Sequence, residues 1–317
     1  MEKYFPNSQP QKSAEHTVNE LLDIYQDRIV NHHSEGTKGT YGRCLQYWRR
    51  AIGECLVKNV TPALLEECRY YLLNEKHLDA QTVNLYMFSL RPAFNYAASE
   101  SLNWITRNPF TRIKKLREKP GRAPQLTDQQ VQDLLTWCDR SQSKYLWLYV
   151  RLLLCTGARK QEIMQAKWGQ ISLRRGTITF TKTKSRQQRT IPLPSYMVDI
   201  LKHQYEQRFG DDAGLMNSPE GEYLFPSPKN PKKPVVNLHL AYGKARDKAG
   251  LSDTRFHDIR HHYASRMIID GGSDILAVSV LLGHSNLKQT ARYAHLTHGH
   301  IAAQVEQMAS KVFQKKA

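Results

Sequence analysis

The sequence predicts a two-domain protein that is mainly α-helical, with a small antiparallel β-sheet in the second domain. Residues 14–100 contain apolar spacings of helices only. A segment rich in proline and basic residues, 101–124, interrupts that pattern, and short alternating β-branched segments occur only after residue 170. With 317 residues, the chain is long enough for each domain to bury its own core.

The first domain is predicted to be all helical over residues 14–100, after a polar tail of residues 1–13. Thr61 and Pro62 start one helix, because Thr61 is a good N-cap and proline fits the first helical position. A further helix is predicted from about residue 80 to 99, with a kink at Pro92 because proline lacks the backbone N–H of a helix interior.

Residues 101–124 are predicted to be an exposed linker between the domains. The segment holds three prolines and seven basic residues against one acid, a composition typical of a solvated connection. The basic residues are Arg107, Arg112, Lys114, Lys115, Arg117, Lys119 and Arg122.

The second domain is predicted to span residues 125–298. It begins with a capping box of Thr127 and Gln130, and helices follow to about Ala166. A tight turn at 174–176 joins the first two of three predicted strands, and helical patterns resume at about Ser195. The strands are Ile171–Leu173, Thr177–Thr181 and Thr190–Leu193.

The charge of the chain indicates a polyanionic partner. Lys and Arg number 46 and Asp and Glu 29, for a net charge of +17, and residues 121–317 carry +13 of it. Nucleic-acid binding exploits such an excess, because neutralising phosphates releases counterions. A basic protein without such a partner remains the alternative. On the nucleic-acid interpretation, the linker is a strap whose basic residues lie along the DNA backbone; this is compatible with the alternative of a solvated tether and is favoured over it.

The cysteines and the N-terminus predict a protein of the cytoplasm. The five cysteines are an odd number with no C-x-x-C pair, so ordinary free thiols are expected and no disulfide framework. The first residues lack the apolar run of a signal peptide, and no stretch approaches the roughly 18 apolar residues of a membrane span. The cysteines are Cys44, Cys55, Cys68, Cys138 and Cys155.

The first segment with candidate catalytic residues is Thr156 to Glu162. Gly157 ends one helix and lets Arg159 project from the start of the next, where a guanidinium can meet an anion. Glu162 lies one turn further on the same face and is expected to support Arg159. Taken alone, this spacing also fits a surface ion pair.

The second segment is the predicted hairpin loop 182–189. It contains four basic residues and no acid: Lys182, Lys184, Arg186 and Arg189. A flexible lysine on such a loop can donate a proton to a leaving group. The loop alone fits a solvated turn equally well.

Two further segments complete the pattern. His257 and Arg260 are three residues apart and share one helical face. Gly283 and His284 are followed, nine residues after His284, by Tyr293.

These residue types together suit phosphoryl transfer. Arg159 and Arg260 can clamp the non-bridging oxygens of a phosphodiester without a metal, and His284 can donate to them as a third group. A tyrosine forms a phosphoester and can leave again, so Tyr293 is the predicted nucleophile. Its phenol has an ordinary pKa of about 10 and needs a base, the role predicted for His257.

A zinc site is the rival interpretation of the third segment. His257, Asp258 and His261 imitate the H-E-x-x-H pattern. Arg260 would place a cation beside the metal, which is unfavourable. No metal, ATP or other cofactor is therefore expected, and a zinc hydrolase is a distant alternative.

The four segments, in this order, resemble the tyrosine recombinase family, which includes phage integrases and chromosome-dimer resolvases. The resemblance covers residues 15–296 and departs slightly from the family pattern at Gln161 and Ile259. Counting back five from Arg189 places the family's hairpin lysine at Lys184, with Lys182 as the alternative. Lys184 is then expected to protonate the departing 5′ oxygen.

The resemblance implies an architecture and a reaction. A helical, SAM-like core-binding domain and an α+β catalytic domain are expected to close around DNA as a C-shaped clamp, with Lys182 and Arg186 adding to the DNA contacts. Strands are expected to be cut and rejoined through a 3′-phosphotyrosine at Tyr293. Integration or excision of a mobile element or phage is favoured, and a chromosome- or plasmid-dimer resolvase is the alternative. A type IB topoisomerase and a non-catalytic DNA-binding protein are more distant.

The resemblance also implies partners. The expected ones are double-stranded DNA with inverted-repeat half-sites, three further copies of the chain in a tetramer on two DNA sites, and an accessory directionality factor; no membrane is expected. Residues 299–317 form a predicted C-terminal helix with one apolar stripe. The stripe could pack on its own domain, but docking on a neighbouring protomer is favoured. Its members are Ile301, Val305, Met308 and Val312.

Overall fold

The computed structural model describes residues 16–33, 35–118, 125–181, 188–210 and 221–284, together with Thr290 and Tyr293. The chain divides into two compact units, residues 1–121 and residues 122–317. The predicted fold class is confirmed: helices dominate, and the described part of the second unit holds one three-stranded antiparallel sheet. None of the helices in the described ranges has the length and apolar character needed to cross a membrane.

Helices around a buried core containing Trp48 and Phe94 make up the described part of the first unit. Thr61 caps the third helix, as predicted, by accepting a hydrogen bond from the Leu64 backbone N–H. A π-helical turn, Tyr71–Glu75, prolongs this helix. The helices are α1 (Val18–Arg28), α2 (Glu35–Ile52), α3 (Pro62–Tyr70), α4 (Ala80–Ser89) and α5 (Arg91–Ala97).

The kinked helix predicted over residues 80–99 is in fact two helices. The first ends at Ser89, and the second begins at Arg91 with Pro92 in its opening turn. Proline has no N–H to donate, and only the first turn of a helix leaves that donor unused. Pro92 therefore starts a new helix instead of bending an old one.

The predicted exposed linker needs a correction over residues 101–118. Phe110 and Ile113 are buried in the core of the first unit. The Asn84 side chain accepts a hydrogen bond from the Leu116 backbone N–H at 2.9 Å and donates to its carbonyl at 3.0 Å. The prediction missed this packing because it rested on the many prolines and charges of the segment, and the apolar residues that pack are interspersed among the basic ones. The basic side chains themselves remain exposed: Arg107, Arg112, Lys114, Lys115 and Arg117.

The second unit combines helices with the predicted sheet. Thr127 and Gln130 form the predicted capping box. The strand order is β1-β2-β3, with Ile178 opposite Ile191, and both side chains point into the core. The strands are β1 (Ile171–Ser172), β2 (Thr177–Phe180) and β3 (Arg189–Pro192). The helices are α6 (Asp128–Asp139), α7 (Leu146–Thr156), α8 (Lys160–Met164), α9 (Ser195–Phe209), α10 (His239–Lys248), α11 (Phe256–Ile269) and α12 (Ile275–Leu282).

The second unit has two apolar clusters. The larger one contains Tyr149, Trp168 and Phe225. The smaller one packs α11 against α12 and includes Tyr293. All five cysteines are free thiols, and only Cys155 is not fully buried. The predicted C-terminal helix, residues 299–317, lies outside the described residues.

Candidate active site

A glycine turn positions the first predicted arginine. Gly157 ends α7 with φ of 57°, a left-handed conformation that costs other residues free energy. A Cβ at this position would come within 2.2 Å of the Tyr263 ring. The close packing of α7 on α11 therefore requires glycine here, and Arg159 follows at the start of α8.

Glu162 supports Arg159 as predicted by their spacing. The Arg159 backbone N–H donates to Glu162 Oε2 at 2.7 Å, and Nη1 of the side chain donates to Oε1 at 3.1 Å. One carboxylate therefore holds both the backbone and the guanidinium of Arg159. It limits the positions that the arginine can adopt.

Arg260 lies deeper than Arg159. It is only 4% exposed, and its Nη1 donates to the Gly157 carbonyl at 2.8 Å. Burial, reinforced by the positive charge of Arg159, lowers the pKa of the Arg260 guanidinium below its ordinary value. An anion bound beside Arg260 would offset this cost, so the site favours a negatively charged ligand.

Arg189 is a member of the site to which the sequence assigned no role. Its Nη1 and Nη2 donate to the two oxygens of Glu162 at 3.0 and 2.6 Å, a bidentate pair. Its side chain is 5% exposed. The signal was present in the strand pattern, since Arg189 shares the buried face of β3 with Ile191. A charge on a buried strand face requires an opposite charge nearby.

Three arginines cap the C-terminal end of α12. The last carbonyls of a helix have no partner within the helix, and cationic side chains satisfy them well. Here three successive carbonyls each accept a hydrogen bond from a different arginine, at 2.7 to 2.9 Å, and His284 follows directly. The pairs are Arg189 with Leu281, Arg260 with Leu282, and Arg159 with Gly283.

The charges around this turn suit a phosphodiester. Burial opposes ionisation of Glu162, but the hydrogen bonds and charges of Arg189 and Arg159 outweigh it and lower the pKa of the carboxyl below its ordinary value. Glu162 therefore stays ionised and compensates one of the three guanidinium groups. The excess of positive charge matches the negative charge that develops on phosphate oxygens during attack.

Tyr293 lies in the smaller apolar cluster, and its side chain is 1% exposed. Its hydroxyl is hydrogen-bonded to Nδ1 of His261. The sequence singled out His261 only as a zinc ligand, although the residue follows His257 by one turn of α11. The two imidazole rings meet edge to face with centroids 4.6 Å apart. The role of base predicted for His257 remains a prediction.

A cleft of about 910 Å³ opens in the second unit beside these groups. Arg159, Arg260 and His257 line it, together with Lys160 and His239, whose Nζ and Nε2 atoms are 3.2 Å apart. The structure thus brings both predicted arginines and the predicted base to one cavity. The surroundings of the cavity are basic, as a polyanion requires.

The remaining predicted residues are placed as follows. His284 Nδ1 is 2.6 Å from Thr290 Oγ1 and forms a hydrogen bond with it. The loop 182–187, which contains the predicted proton donor Lys184 and the predicted DNA contacts Lys182 and Arg186, lies outside the described residues, as do Lys119 and Arg122.

The residues of the rival zinc pattern have other contacts. The Asp258 carboxylate accepts a hydrogen bond from the Arg255 backbone N–H at 2.7 Å, and His261 contacts Tyr293. Within the part of the chain that the structure describes, no group of three or more metal-binding side chains is placed to hold an ion.

Comparison with known proteins gives matches over both units. Residues 124–300 match the phage integrase family, and residues 17–116 match the phage integrase SAM-like domain. The integrase of Haemophilus phage HP1 is 31% identical over 225 residues, which cover 71% of this chain and 59% of that integrase. The tyrosine recombinase XerA of Thermococcus kodakarensis is 29% identical over 248 residues, which cover 74% of this chain and 83% of XerA.

Solved structures of similar fold include two integrases in complex with DNA. The Tn1549 transposon integrase in complex with transposon right end DNA has a TM-score of 0.74 at 21% identity, and the match covers 93% of this chain and 100% of that one. A lambda integrase tetramer bound to a Holliday junction has a TM-score of 0.70 at 18% identity, with 89% and 78% covered. At these identities the likeness concerns the fold.

Proposed function

This chain belongs to the phage integrase family of tyrosine recombinases, which are DNA strand-transferring enzymes, and we propose that it is a site-specific recombinase whose nucleophile is Tyr293. One observation carries the proposal. Arg159, Arg260 and His257 line a single cleft, and the helix that holds Arg260 also bonds the Tyr293 hydroxyl through His261.

The proposed reaction conserves the energy of the phosphodiester bond. The Tyr293 oxygen attacks the scissile phosphorus after losing its proton to His257, and the bond to the 5′ oxygen breaks. Lys184 gives a proton to that departing oxygen. Arg159, Arg260 and His284 hold the non-bridging oxygens throughout, so neither a metal ion nor ATP takes part. Attack by a 5′ hydroxyl on the phosphotyrosine then rejoins the strand and frees Tyr293.

The first unit, residues 1–121, is proposed to be the core-binding domain that the sequence placed at residues 14–100. Its match to the SAM-like domain of phage integrases supports this. The exposed basic side chains on residues 107–117 are available to contact phosphates, and Lys119, Arg122, Lys182 and Arg186 are proposed to extend this contact.

Integration or excision of a mobile element is the proposed setting. The likeness to the integrase of phage HP1 supports it, whereas the likeness to XerA supports a dimer resolvase as the second candidate. The proposed substrate is duplex DNA with inverted-repeat half-sites, bound at two sites by four copies of the chain, with an accessory factor setting direction. The lambda integrase tetramer on a Holliday junction supports the stoichiometry.

The proposal is tested with a nicked suicide substrate, which traps the protein on DNA when the cleaved end diffuses away. Wild type should give a covalent, slowly migrating complex, and Tyr293→Phe should give none while binding DNA normally, because only the nucleophilic oxygen is removed. Tyr196→Phe is the matched control, since that tyrosine is exposed on α9. A covalent complex formed by Tyr293→Phe would move the nucleophile elsewhere.

A further inference from the structure

Arg189 is the buried charge that the proposed mechanism leaves without a task. It makes five interactions: two bonds to Glu162, one to the Leu281 carbonyl, a cation–π contact over the Phe180 ring at 5.0 Å, and close packing on Gly283. It does not line the cleft. Keeping a guanidinium away from water is costly, and any effect of Arg189 on the proposed reaction has to pass through its neighbours because it does not line the cleft.

The neighbours of Arg189 are the groups that position Arg159 and His284, the two residues proposed to hold the phosphate from opposite ends of the site. Glu162 is one of them, and it also binds the backbone and side chain of Arg159. The Leu281 carbonyl is the other, two residues before Gly283 and three before His284. Arg189 therefore ties the carboxylate that orients Arg159 to the turn that carries His284.

We propose that Arg189 is a positioning residue that sets the distance between Arg159 and His284 on the phosphate. The inference rests on the proposed function, because it assigns both groups to the same phosphate. A shift of a fraction of an ångström in the position of such hydrogen-bond donors should lower the cleavage rate and leave the affinity for DNA unchanged. The reason is that donor geometry matters most when negative charge develops in the transition state.

Gly283 is part of the same arrangement. A Cβ there would lie 2.9 Å from Nη1 and 3.0 Å from Cδ of Arg189. The glycine, with φ of 65°, both ends α12 and leaves room for the guanidinium to reach under the turn. The glycine of the Gly283-His284 pair therefore has a second function besides ending the helix: its lack of a side chain leaves space for Arg189.

The experiment compares Arg189→Gln, Arg189→Lys and wild type in single-turnover cleavage of the suicide substrate at saturating protein, with half-site affinity and melting temperature measured in parallel. We expect both variants to cleave about a hundredfold more slowly, within the range seen on removing one oxyanion donor, and to bind the half-site within about threefold of wild type. Lysine keeps the charge but has no planar fork, so it cannot reach Glu162 and Leu281 together. Arg208→Gln is the matched control, because Arg208 forms a bonded pair with Glu222 on the surface at 2.7 Å.

Two further measurements separate positioning from other roles. Arg189→Gln combined with Glu162→Gln should be no slower than the slower single variant, because both act through one link. A substrate with sulfur in place of the 5′ leaving oxygen should restore Lys184→Ala but not Arg189→Gln, since a thiolate needs no proton but still needs the clamp.

The proposal would be overturned by any of three results: normal cleavage by the Arg189 variants, additive losses in the double variant, or rescue of Arg189→Gln by the sulfur substrate. Loss of DNA binding in step with cleavage, or failure of both variants to fold, would make Arg189 a structural residue only. Absence of a covalent complex with wild type would instead remove the proposed function itself.

Discussion

The Tyr293 hydroxyl is hydrogen-bonded to Nδ1 of His261, one helical turn after His257 on α11. Tyr293 is buried in the apolar cluster of α11 and α12, so apolar packing holds the residue while the imidazole of His261 binds its hydroxyl oxygen. This contact connects Tyr293, the proposed nucleophile, to the helix that carries Arg260, and it makes the orientation of Tyr293 depend on His261.

We expect His261→Ala to slow the formation of the covalent complex by about tenfold, equivalent to one lost hydrogen bond of about 1.4 kcal/mol. Single-turnover cleavage at saturating protein measures this. His262→Ala is the control, because its Nδ1 accepts a hydrogen bond from the Leu126 backbone N–H at 3.3 Å and the residue has a structural position. It should lower stability but leave the cleavage rate of the folded protein unchanged. Equal rates for His261→Ala and wild type would show that the contact does not orient the nucleophile for reaction.

Arg260→Ala should lose about 3 kcal/mol or more of transition-state stabilisation, as oxyanion donors do. The guanidinium is buried beside the cleft, and water cannot replace it well. The rate of cleavage relative to wild type gives the loss, and Arg266→Ala serves as control because Arg266 pairs with Asp128 on the surface.

Cleavage of the suicide substrate by the wild-type protein should proceed unchanged in excess EDTA. A reaction that stops in EDTA and returns with zinc would favour the metal interpretation of His257 and His261.

Glu162→Gln should change how stability depends on pH. Arg189 and Arg159 lower the pKa of Glu162 in the folded protein, so the ionised carboxylate stabilises the fold. This contribution is complete above the unfolded pKa of about 4.3 and is lost as the pH falls through the lower folded pKa. We expect the variant to be about 2 kcal/mol less stable at pH 7, with the difference shrinking below about pH 4. Urea unfolding from pH 3 to pH 7 measures it. A difference that stays constant with pH would mean that packing, and not charge, explains the loss.

Deletion of residues 299–317 tests the proposed assembly. If the apolar stripe of this segment docks on a neighbouring copy, the truncated protein should bind a single half-site normally, while cooperative binding of a full site and recombination both fall. Gel-shift titrations with half and full sites measure this. Cooperative binding that survives the deletion, or a truncated protein that is merely unstable, would place the helix on its own domain.

The sequence predicted the elements whose cause is local. Thr61 with Pro62 and Thr127 with Gln130 are helix starts that depend on a few adjacent atoms, and both occur as expected. Pro92 was expected to kink a single helix over residues 80–99, but it lies in the first turn of a second helix, α5. The packing of Phe110 was missed, because the surrounding positive charge dominated the composition.

Part of the candidate site follows from helical spacing alone, which predicts that His257 shares a helix face with Arg260 and that Glu162 lies beside Arg159. The contacts that Arg189 makes with Glu162 and His261 makes with Tyr293 were not predicted. Their partners lie 27 and 32 positions away along the chain, and nothing local indicates such a pair.

The sequence by itself therefore determined the fold class, the family pattern and the residue types that the proposed chemistry needs. Only the tertiary structure decided which groups form ion pairs and which oxygen atom accepts a hydrogen bond from each side chain. The physical reason is that spacing along a helix fixes neighbours within one turn, whereas buried charges find their partners wherever the packing of α8, α11, α12 and β3 brings a carboxylate or a free carbonyl within hydrogen-bond distance.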